Sequence, residues 1–233
     1  MKRSGVDQQK GPVTDGAVGR WERLSGDSSG LIWHNLTSAG TAYDATLVMA
    51  PGDWPDFDGV GDYAHIGVDG SQPMVADTSA GFTLEAWVKV ASVASGDRLI
   101  FLSHSGHQAG LSLLLNAGPK VWGRCYVNSA PPASINCFGT TNFPLNQWTH
   151  LAFVADASAN LFTVYLNGVA DGTLAYTAIF PGPFGGYFGC ARYNLGAPLQ
   201  LFDGEMDVCR FYSRPLSVDE ILRNYNAEKA AHQ

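Results

Sequence analysis

The chain carries little charge and no concentration of positive charge. Only 15% of its 233 residues are charged, and the formal net charge is −7. Because nucleic acids and anionic membranes attract clusters of lysine and arginine, we expect neither as a partner. Apolar runs stay well short of the ~18 residues that a membrane-spanning helix needs. The first ten residues are polar and have no apolar segment behind them, so we expect no secretion signal.

Cysteine is also scarce, and the four residues present are too few to define a disulfide-built fold. If Cys125 lies opposite Cys137, and Cys190 opposite Cys209, each pairing also brings apolar residues face to face in neighbouring strands. Two cross-strand disulfides in an oxidising setting are therefore one interpretation. The alternative is four buried thiols that act as small apolar side chains. The absence of a recognised secretion signal favours the thiols.

Glycine and proline are abundant, with 27 and 12 residues, and hydrophobic residues make up 45% of the chain. This composition predicts one all-β domain of many strands and tight turns, since sandwiches of ~200–250 residues commonly form a single unit. Residues 82–90 alternate between apolar and other side chains, the pattern of a strand with one face in a core. Asn167 and Gly168 predict a type I′ hairpin, because both positions of that turn need positive φ.

The C-terminal part predicts a strand, a proline-marked turn and a short helix. Residues 204–212 have the pattern of a strand. Ser217 stands three residues before Glu220, the spacing of a capping box, in which each side chain accepts a hydrogen bond from the other residue's backbone N–H. Leu216 and Ile221 occupy the two positions of a hydrophobic staple, so we expect them to pack together.

Four motifs, in a fixed order along the chain, give a family resemblance. They are Phe57-Asp58-Gly59-Val60-Gly61-Asp62-Tyr63, Gln147-Trp148-Thr149-His150-Leu151-Ala152-Phe153, Leu166-Asn167-Gly168-Val169 and the strand–turn–helix segment that runs to Ile221. Together they resemble the laminin-G-like, concanavalin-A-like jelly-roll family of lectins and glucanases. The resemblance implies an all-β sandwich of two antiparallel sheets with a short C-terminal helix.

The resemblance also suggests how the chain is divided. It covers about residues 19–226, which we take as the jelly-roll domain. Residues 1–18 are polar and without periodicity, and we interpret them as an N-terminal arm outside the core. Residues 227–233 are then a C-terminal tail.

Calcium is the cofactor that the resemblance implies, because modules of this family often carry a calcium site. Calcium takes six to eight oxygen ligands from carboxylates and loop carbonyls. The best candidates for such ligands are Asp58 and Asp203. The alternative is that Asp58 and Asp203, each followed by glycine, form turns in which the side chain caps its own backbone.

Sugar binding requires exposed aromatic rings that can stack on a pyranose. We expect the rings that lie in insertions, loops or outward-alternating positions to be the candidates, namely Trp33, Trp54, Trp122, Phe184 and Tyr187. Trp87 alternates away from the apolar face of its strand, so we expect it to be exposed as well. The alternative is that these rings cover a second sheet face or a contact between subunits.

Catalysis has little support. Related sandwich glycanases carry a glutamate-x-aspartate-x-x-glutamate strand, so that two carboxyl groups flank the scissile bond. Here Glu205 and Asp207 match the first two acids, but Arg210 stands where the third would be. We therefore expect no enzyme activity, with glycoside hydrolysis as the alternative.

These observations favour a non-catalytic structural or adhesive subunit of a larger assembly. An extracellular-type fold without a secretion signal suits a bacteriophage virion protein, as a capsid decoration or tail component, which leaves its host by lysis. Residues 1–18 would anchor it to protein subunits, and loop aromatics would contact a host surface polysaccharide. The alternative is a stand-alone carbohydrate-binding or adhesion module. Either reading predicts a location on a virion or an extracellular surface.

Overall fold

The computed structural model of the chain describes residues 11–22, 32–49, 56–66, 77–93, 98–103, 110–116, 118–127, 133–177, 185–191 and 197–233. Within these ranges the chain forms strands joined by turns and one α-helix. The strands are β1 (Ala17–Glu22), β2 (Ile32–Trp33), β3 (Ala45–Val48), β4 (Asp56–Asp58), β5 (Tyr63–Ile66), β6 (Gly81–Ser92), β7 (Arg98–Ser103), β8 (Gly110–Asn116), β9 (Lys120–Val127), β10 (Ala133–Phe138), β11 (Trp148–Asp156), β12 (Leu161–Leu166), β13 (Val169–Ala175), β14 (Gly185–Phe188) and β15 (Asp203–Tyr212). The helix is α1 (Val218–Glu228), and a 3₁₀ turn, Lys229–His232, follows it.

The strands pair antiparallel in two sheets. Sheet A has the order β1-β15-β6-β11-β12-β13, with β4 also paired to β15. Sheet B has the order β10-β9-β8-β7-β14-β5-β3-β2. One apolar core takes side chains from both sheets, so the molecule is the all-β jelly-roll sandwich with a short C-terminal helix that the sequence predicted. Of the helices within the described residues, none is both long and apolar enough to span a bilayer.

Alternation along the strands decides which side chains fill the core. In β6, Phe82, Leu84 and Ala86 are fully buried between the sheets, as predicted for residues 82–90. Gly123 of β9 faces Phe153 of β11, and a Cβ at this position would overlap the phenyl ring. Glycine therefore lets the two sheets approach closely here.

The predicted hairpin and helix start are both confirmed. Asn167 and Gly168 have φ of 51° and 80°, as the tight turn between β12 and β13 requires. Ser217 and Glu220 form both hydrogen bonds of the capping box at the start of α1. Hydrogen bonds from Arg214 hold the pKa of the Glu220 carboxyl at about 2. Leu216 is buried in a small apolar cluster that also holds Ile221 of α1, as expected for the staple.

Parts of both terminal segments pack on the domain rather than outside it. Val13 is buried, its N–H donates to Asn224 of α1 at 2.7 Å, and its carbonyl accepts from the Tyr212 hydroxyl at 3.0 Å. At the other end α1 continues to Glu228, and the side chain of His232 is buried. The apolar side chain of Val13 explains its place: it joins the small cluster against α1.

The two cysteine pairings are wrong. In β9 and β10, Cys125 lies opposite Ile135 and Cys137 opposite Gly123, two residues away from the register that the first disulfide needs. Cys190 follows β14 in sheet B, whereas Cys209 lies in β15 of sheet A, so these segments are not neighbours in a sheet. All four are buried thiols, the alternative that the sequence left open. Burial raises the pKa of the Cys137 thiol to about 11.

Candidate functional site

The outer face of sheet A is closed by α1 over a buried polar network. Arg210, which is fully buried, donates to Glu22 at 2.5 Å and to Glu228 of α1. Its guanidinium also lies 3.6 Å from Glu85, which accepts from His150 at 2.7 Å. These contacts fasten the helix and β1 to the sheet.

Charge compensation keeps this network ionised despite its burial. Burial alone would raise the pKa of the Glu85 carboxyl, but the adjacent His150 and Arg210 hold that pKa below its ordinary value. Burial likewise disfavours the charged form of Arg210, and the carboxylates of Glu85 and Glu228 outweigh it, so the pKa of Arg210 is raised. We interpret the network as structural, because every carboxylate in it has a cation or amide partner.

Trp87 is part of this closed face, and the expectation that it is exposed is wrong. It is 2% exposed, because the C-terminal residues cover it. The His232 ring stacks on the Trp87 ring with centroids 4.1 Å apart, and the Trp87 indole N–H donates to Glu228 at 2.9 Å. The sequence pattern placed Trp87 on the outer face correctly but could not show that another segment packs there.

The two acids that resemble a glycanase motif each have a different partner. Glu205 accepts from Lys89 at 2.7 Å, and Asp207 lies 2.7 Å from the His232 ring nitrogen. A bulge between Met206 and Val208 accompanies the outward direction of Asp207. Glu205 and Asp207 therefore act as separate ion-pair partners that stabilise the sheet A surface.

The structure brings the two predicted calcium ligands side by side. Asp58 of β4 lies opposite Asp203 of β15. One oxygen of Asp58 accepts backbone hydrogen bonds from Val60 and Gly61, both at 2.8 Å, and these bonds lower the pKa of Asp58. Asp203 accepts from the Ser92 hydroxyl. Asp58 thus closes its own turn, as the alternative predicted, and among the described residues no group of three or more acidic, His or Cys side chains could hold a metal. A calcium site here stays a prediction.

The five aromatic candidates fall into three groups. Trp33 is 1% exposed and packs on Phe188 in the core, at 5.3 Å between ring centroids, so its predicted exposure is wrong. The reason is that β2 pairs with β3 in a register that turns Trp33 inward. Trp122 and Tyr187 lie on the outer face of sheet B, but at 8% and 3% exposed both are buried, so their predicted exposure is wrong as well. Trp54 and Phe184 lie outside the described residues.

The outer face of sheet B carries two rows of side chains that cross β8, β9 and β10. The register places these residues opposite one another in adjacent strands. We call the two rows together the β8–β10 face; its polar row is Ser112, Arg124 and Asn136, and its apolar row is Leu114, Trp122 and Phe138.

Hydrogen bonds and ring contacts hold the β8–β10 face together. The Asn136 side-chain oxygen accepts from Arg124 Nε at 2.7 Å and from the Trp122 indole N–H at 3.2 Å. The Arg124 guanidinium carbon lies 4.1 Å from the centre of the Trp122 ring. Trp122 stacks on Phe138, with centroids 5.1 Å apart and an angle of 30° between the rings. Phe138 is 45% exposed, so the stack ends in an aromatic surface open to solvent.

The described residues do not supply all the possible partners of two polar groups on this face. The Ser112 hydroxyl is fully buried and has no hydrogen-bond partner within the part of the chain that the structure describes. Arg124 takes part in none of the ion pairs formed among the described residues. A stacking surface beside hydrogen-bond donors that the described residues leave without partners is suited to a ligand with an apolar ring face and polar substituents.

The comparisons with known proteins assign the family. A laminin-G family model, described as the concanavalin A-like lectin/glucanases superfamily, matches residues 57–222. The chain belongs to this superfamily. The match runs from β4 into α1 and includes the whole β8–β10 face. None of the curated proteins compared with the chain matches it.

Solved structures of low sequence identity share the fold. A Trypanosoma rangeli sialidase aligns with a TM-score of 0.61 at 20% identity, over 93% of this chain and 33% of the sialidase. The CBM40 of a Ruminococcus gnavus sialidase, solved with α2,3-sialyllactose, aligns at 0.52 and 15% identity, over 64% of this chain and 82% of that one. Domain 4 of the Geobacillus stearothermophilus arabinanase AbnA, solved with arabinotriose, aligns at 0.52 and 20% identity, over 88% and 86%.

Sequence reasoning missed most of the β8–β10 face. It proposed Trp122 but not Arg124, Asn136 or Phe138. The available signal was the spacing: Trp122 and Arg124 are two apart in one strand, and Asn136 and Phe138 are two apart in the next, so each pair shares a face. Joining the pairs required the register between β9 and β10, which was predicted two residues away from the observed one.

Proposed function

We propose that the protein is a non-catalytic carbohydrate-binding module that binds a glycan on the β8–β10 face. The observation that carries this proposal is the Trp122–Phe138 stack, which ends in an exposed ring beside the side chains of Arg124 and Asn136. The C–H groups on one face of a sugar ring pack well on an aromatic ring, while its hydroxyl groups need hydrogen-bond partners at the edge. The face offers both within two adjacent strands.

The comparisons support the same class of function. The Ruminococcus gnavus module and the Geobacillus stearothermophilus domain were each solved with an oligosaccharide, and both share this fold. At 15% and 20% identity the likeness extends to the fold and not to individual ligand-binding residues.

The state of the carboxylates supports a binding role over hydrolysis. Glycoside hydrolysis needs two carboxyl groups, one ready to donate a proton and one ready to attack or activate water. Glu205 and Asp207, which resemble such a pair, are engaged with Lys89 and His232. Glu85 is buried beneath α1.

Glycan binding and its dependence on Phe138 test the proposal. The full chain is screened on a glycan array, and the affinity for the best ligand is measured by titration calorimetry for the wild type and for Phe138→Ala. We expect the variant to lose about tenfold in affinity, equivalent to about 1.4 kcal/mol. Leu222→Ala is the matched control, because Leu222 is similarly exposed on α1. A folded protein that binds no glycan, or equal losses in the two variants, would contradict the proposal.

A second proposal is that residues 1–18 anchor the module in a larger assembly, such as a virion capsid or tail or another extracellular surface. Its support is the contact of Gly11 and Val13 with α1. The Arg223 side chain donates to the Gly11 carbonyl at 2.7 Å, and the Asn224 side chain accepts from the Val13 N–H. Removing residues 1–10 should leave the fold intact and abolish association with particles purified from the source. Undiminished association of the truncated chain would refute the anchor.

A further inference from the structure

We propose that the glycan bound on the β8–β10 face is acidic, with a sugar carboxylate seated on the guanidinium of Arg124. This inference rests on the proposed function and names the substrate class for the same site. Its starting point is the charge of Arg124. The described residues form many ion pairs, yet none of them compensates this guanidinium.

The other arginines show that this is unusual in the molecule. The chain has 21 acidic and 14 basic residues, so carboxylates outnumber cations. The described arginines that pair with a carboxylate are Arg20, Arg210 and Arg214. Arg223 donates to backbone carbonyls instead. Arg124 alone among these five side chains has its charge beside aromatic rings and an amide.

Among the described residues, no hydrogen-bond or ion-pair partner occupies the carboxylate-binding edge of Arg124. Its Nε donates to Asn136, and its flat face lies on Trp122. The remaining edge carries the two terminal nitrogens, whose parallel N–H groups match the two oxygens of a carboxylate. Because Asn136 and Trp122 fix the plane of the guanidinium in advance, little side-chain freedom is lost when an anion binds.

The second observation is the hydroxyl of Ser112. It lies directly across from Arg124 on the neighbouring strand, is fully buried and lacks a hydrogen-bond partner among the described residues. A buried hydroxyl without an acceptor is unfavourable, so a ligand that places an acceptor next to it gains binding free energy. A carboxylate on Arg124 brings an acceptor to the neighbouring position of the polar row.

The apolar row completes the recognition of a sugar acid. Phe138 adjoins Trp122, which itself lies under the Arg124 guanidinium, so the exposed ring and the cation are one strand apart. A sugar ring on Phe138 therefore places a carboxylate carried on that ring at the level of the polar row. A neutral sugar would stack on the Phe138 ring but would leave the Arg124 guanidinium without a counter-ion.

Matched acidic and neutral ligands test the inference. The probes are oligogalacturonate against the galactose oligomer of the same length, and sialyllactose against lactose, with a sulfated galactose oligomer as a third class of anion. Affinities are measured by titration calorimetry for the full chain. We expect at least one acidic probe to bind about tenfold or more tightly than its neutral partner. Arg124→Gln should remove that preference, so that the acidic probe binds no more tightly than its neutral partner.

Arg124→Lys separates charge from geometry. It keeps the cation but loses the two parallel donors, so we expect it to recover only part of the preference for the acidic probe. Circular dichroism confirms that each variant is folded. If the wild type binds neutral and acidic probes equally and Phe138→Ala abolishes both, the acidic inference is wrong and the proposed function stands. Stronger binding of the sulfated oligomer than of every carboxylate also overturns the inference, and binding of no probe or array glycan overturns both.

Discussion

Replacing Arg210 by methionine should strongly destabilise the fold. The guanidinium is fully buried and contacts three carboxylates: Glu22 at 2.5 Å, Glu85 at 3.6 Å, and Glu228. Methionine fills similar space but removes the cation that these carboxylates share, so that Glu22 keeps only Arg20 and Glu85 keeps His150 as partners. Breaking a buried ion pair on one side typically costs about 3–5 kcal/mol. This is a large share of the roughly 5–15 kcal/mol that stabilises a typical domain.

Urea unfolding followed by tryptophan fluorescence measures this loss. Lys89→Met is the control, because it removes a cation from a pair with Glu205 at the surface of the same sheet, and we expect it to change the free energy of unfolding little. The effect of Arg210→Met should also depend on pH. The pKa of Glu85 is lowered in the fold, so its contribution to stability is present above its unfolded pKa and is lost as the pH falls through the folded value. The difference in unfolding free energy between wild type and variant should therefore narrow as the pH falls below about 4.3, the ordinary value for glutamate. A loss below about 1 kcal/mol, or one equal to that of Lys89→Met, would refute the reasoning.

Three further predictions concern the C-terminal turn, the core and the helix start. Burial alone would lower the pKa of His232, but its hydrogen bond to Asp207 raises that pKa. The contribution of His232 to stability is therefore complete below the ordinary histidine pKa and is lost as the pH rises through the raised value. His232→Gln should flatten the dependence of Tm on pH between about pH 6 and 8, and an unchanged dependence would count against this ion pair. Gly123→Ala places a methyl group against the Phe153 ring and should destabilise the fold by about 1–3 kcal/mol in thermal unfolding, whereas an unchanged Tm would mean that the sheets separate freely. Ser217→Ala removes the cap of α1 and should reduce the free energy of urea unfolding by about 1 kcal/mol, an effect whose absence would show that the cap is dispensable.

Features encoded within a few neighbouring residues were predictable from the sequence. The inward face of β6, the turn at Asn167 and the capping box at Ser217 each depend on local spacing, and all three are confirmed. Features that depend on which strands pair with each other were not predictable from the sequence. The residue pattern of a strand does not tell which sheet it joins, so β14 and β15 were wrongly placed side by side.

The error at β9 and β10 has a more specific cause. A shift of one residue in register moves every side chain to the other face, whereas a shift of two keeps all of them on the same face. Cys125 and Cys137 point into the core in the predicted and in the observed register alike. The hydrophobic pattern could not distinguish the two, and the neighbours of Trp122 in the candidate site were missed for the same reason.

The packing of both terminal segments on sheet A determines how the module can be attached to other structures. Val13 and α1 lie on one side of the sandwich, and the β8–β10 face lies on the other. A domain, resin or particle joined at the C-terminus would therefore sit behind sheet A, with the proposed glycan-binding face directed away from it. Display of the protein by a C-terminal fusion should leave that face accessible.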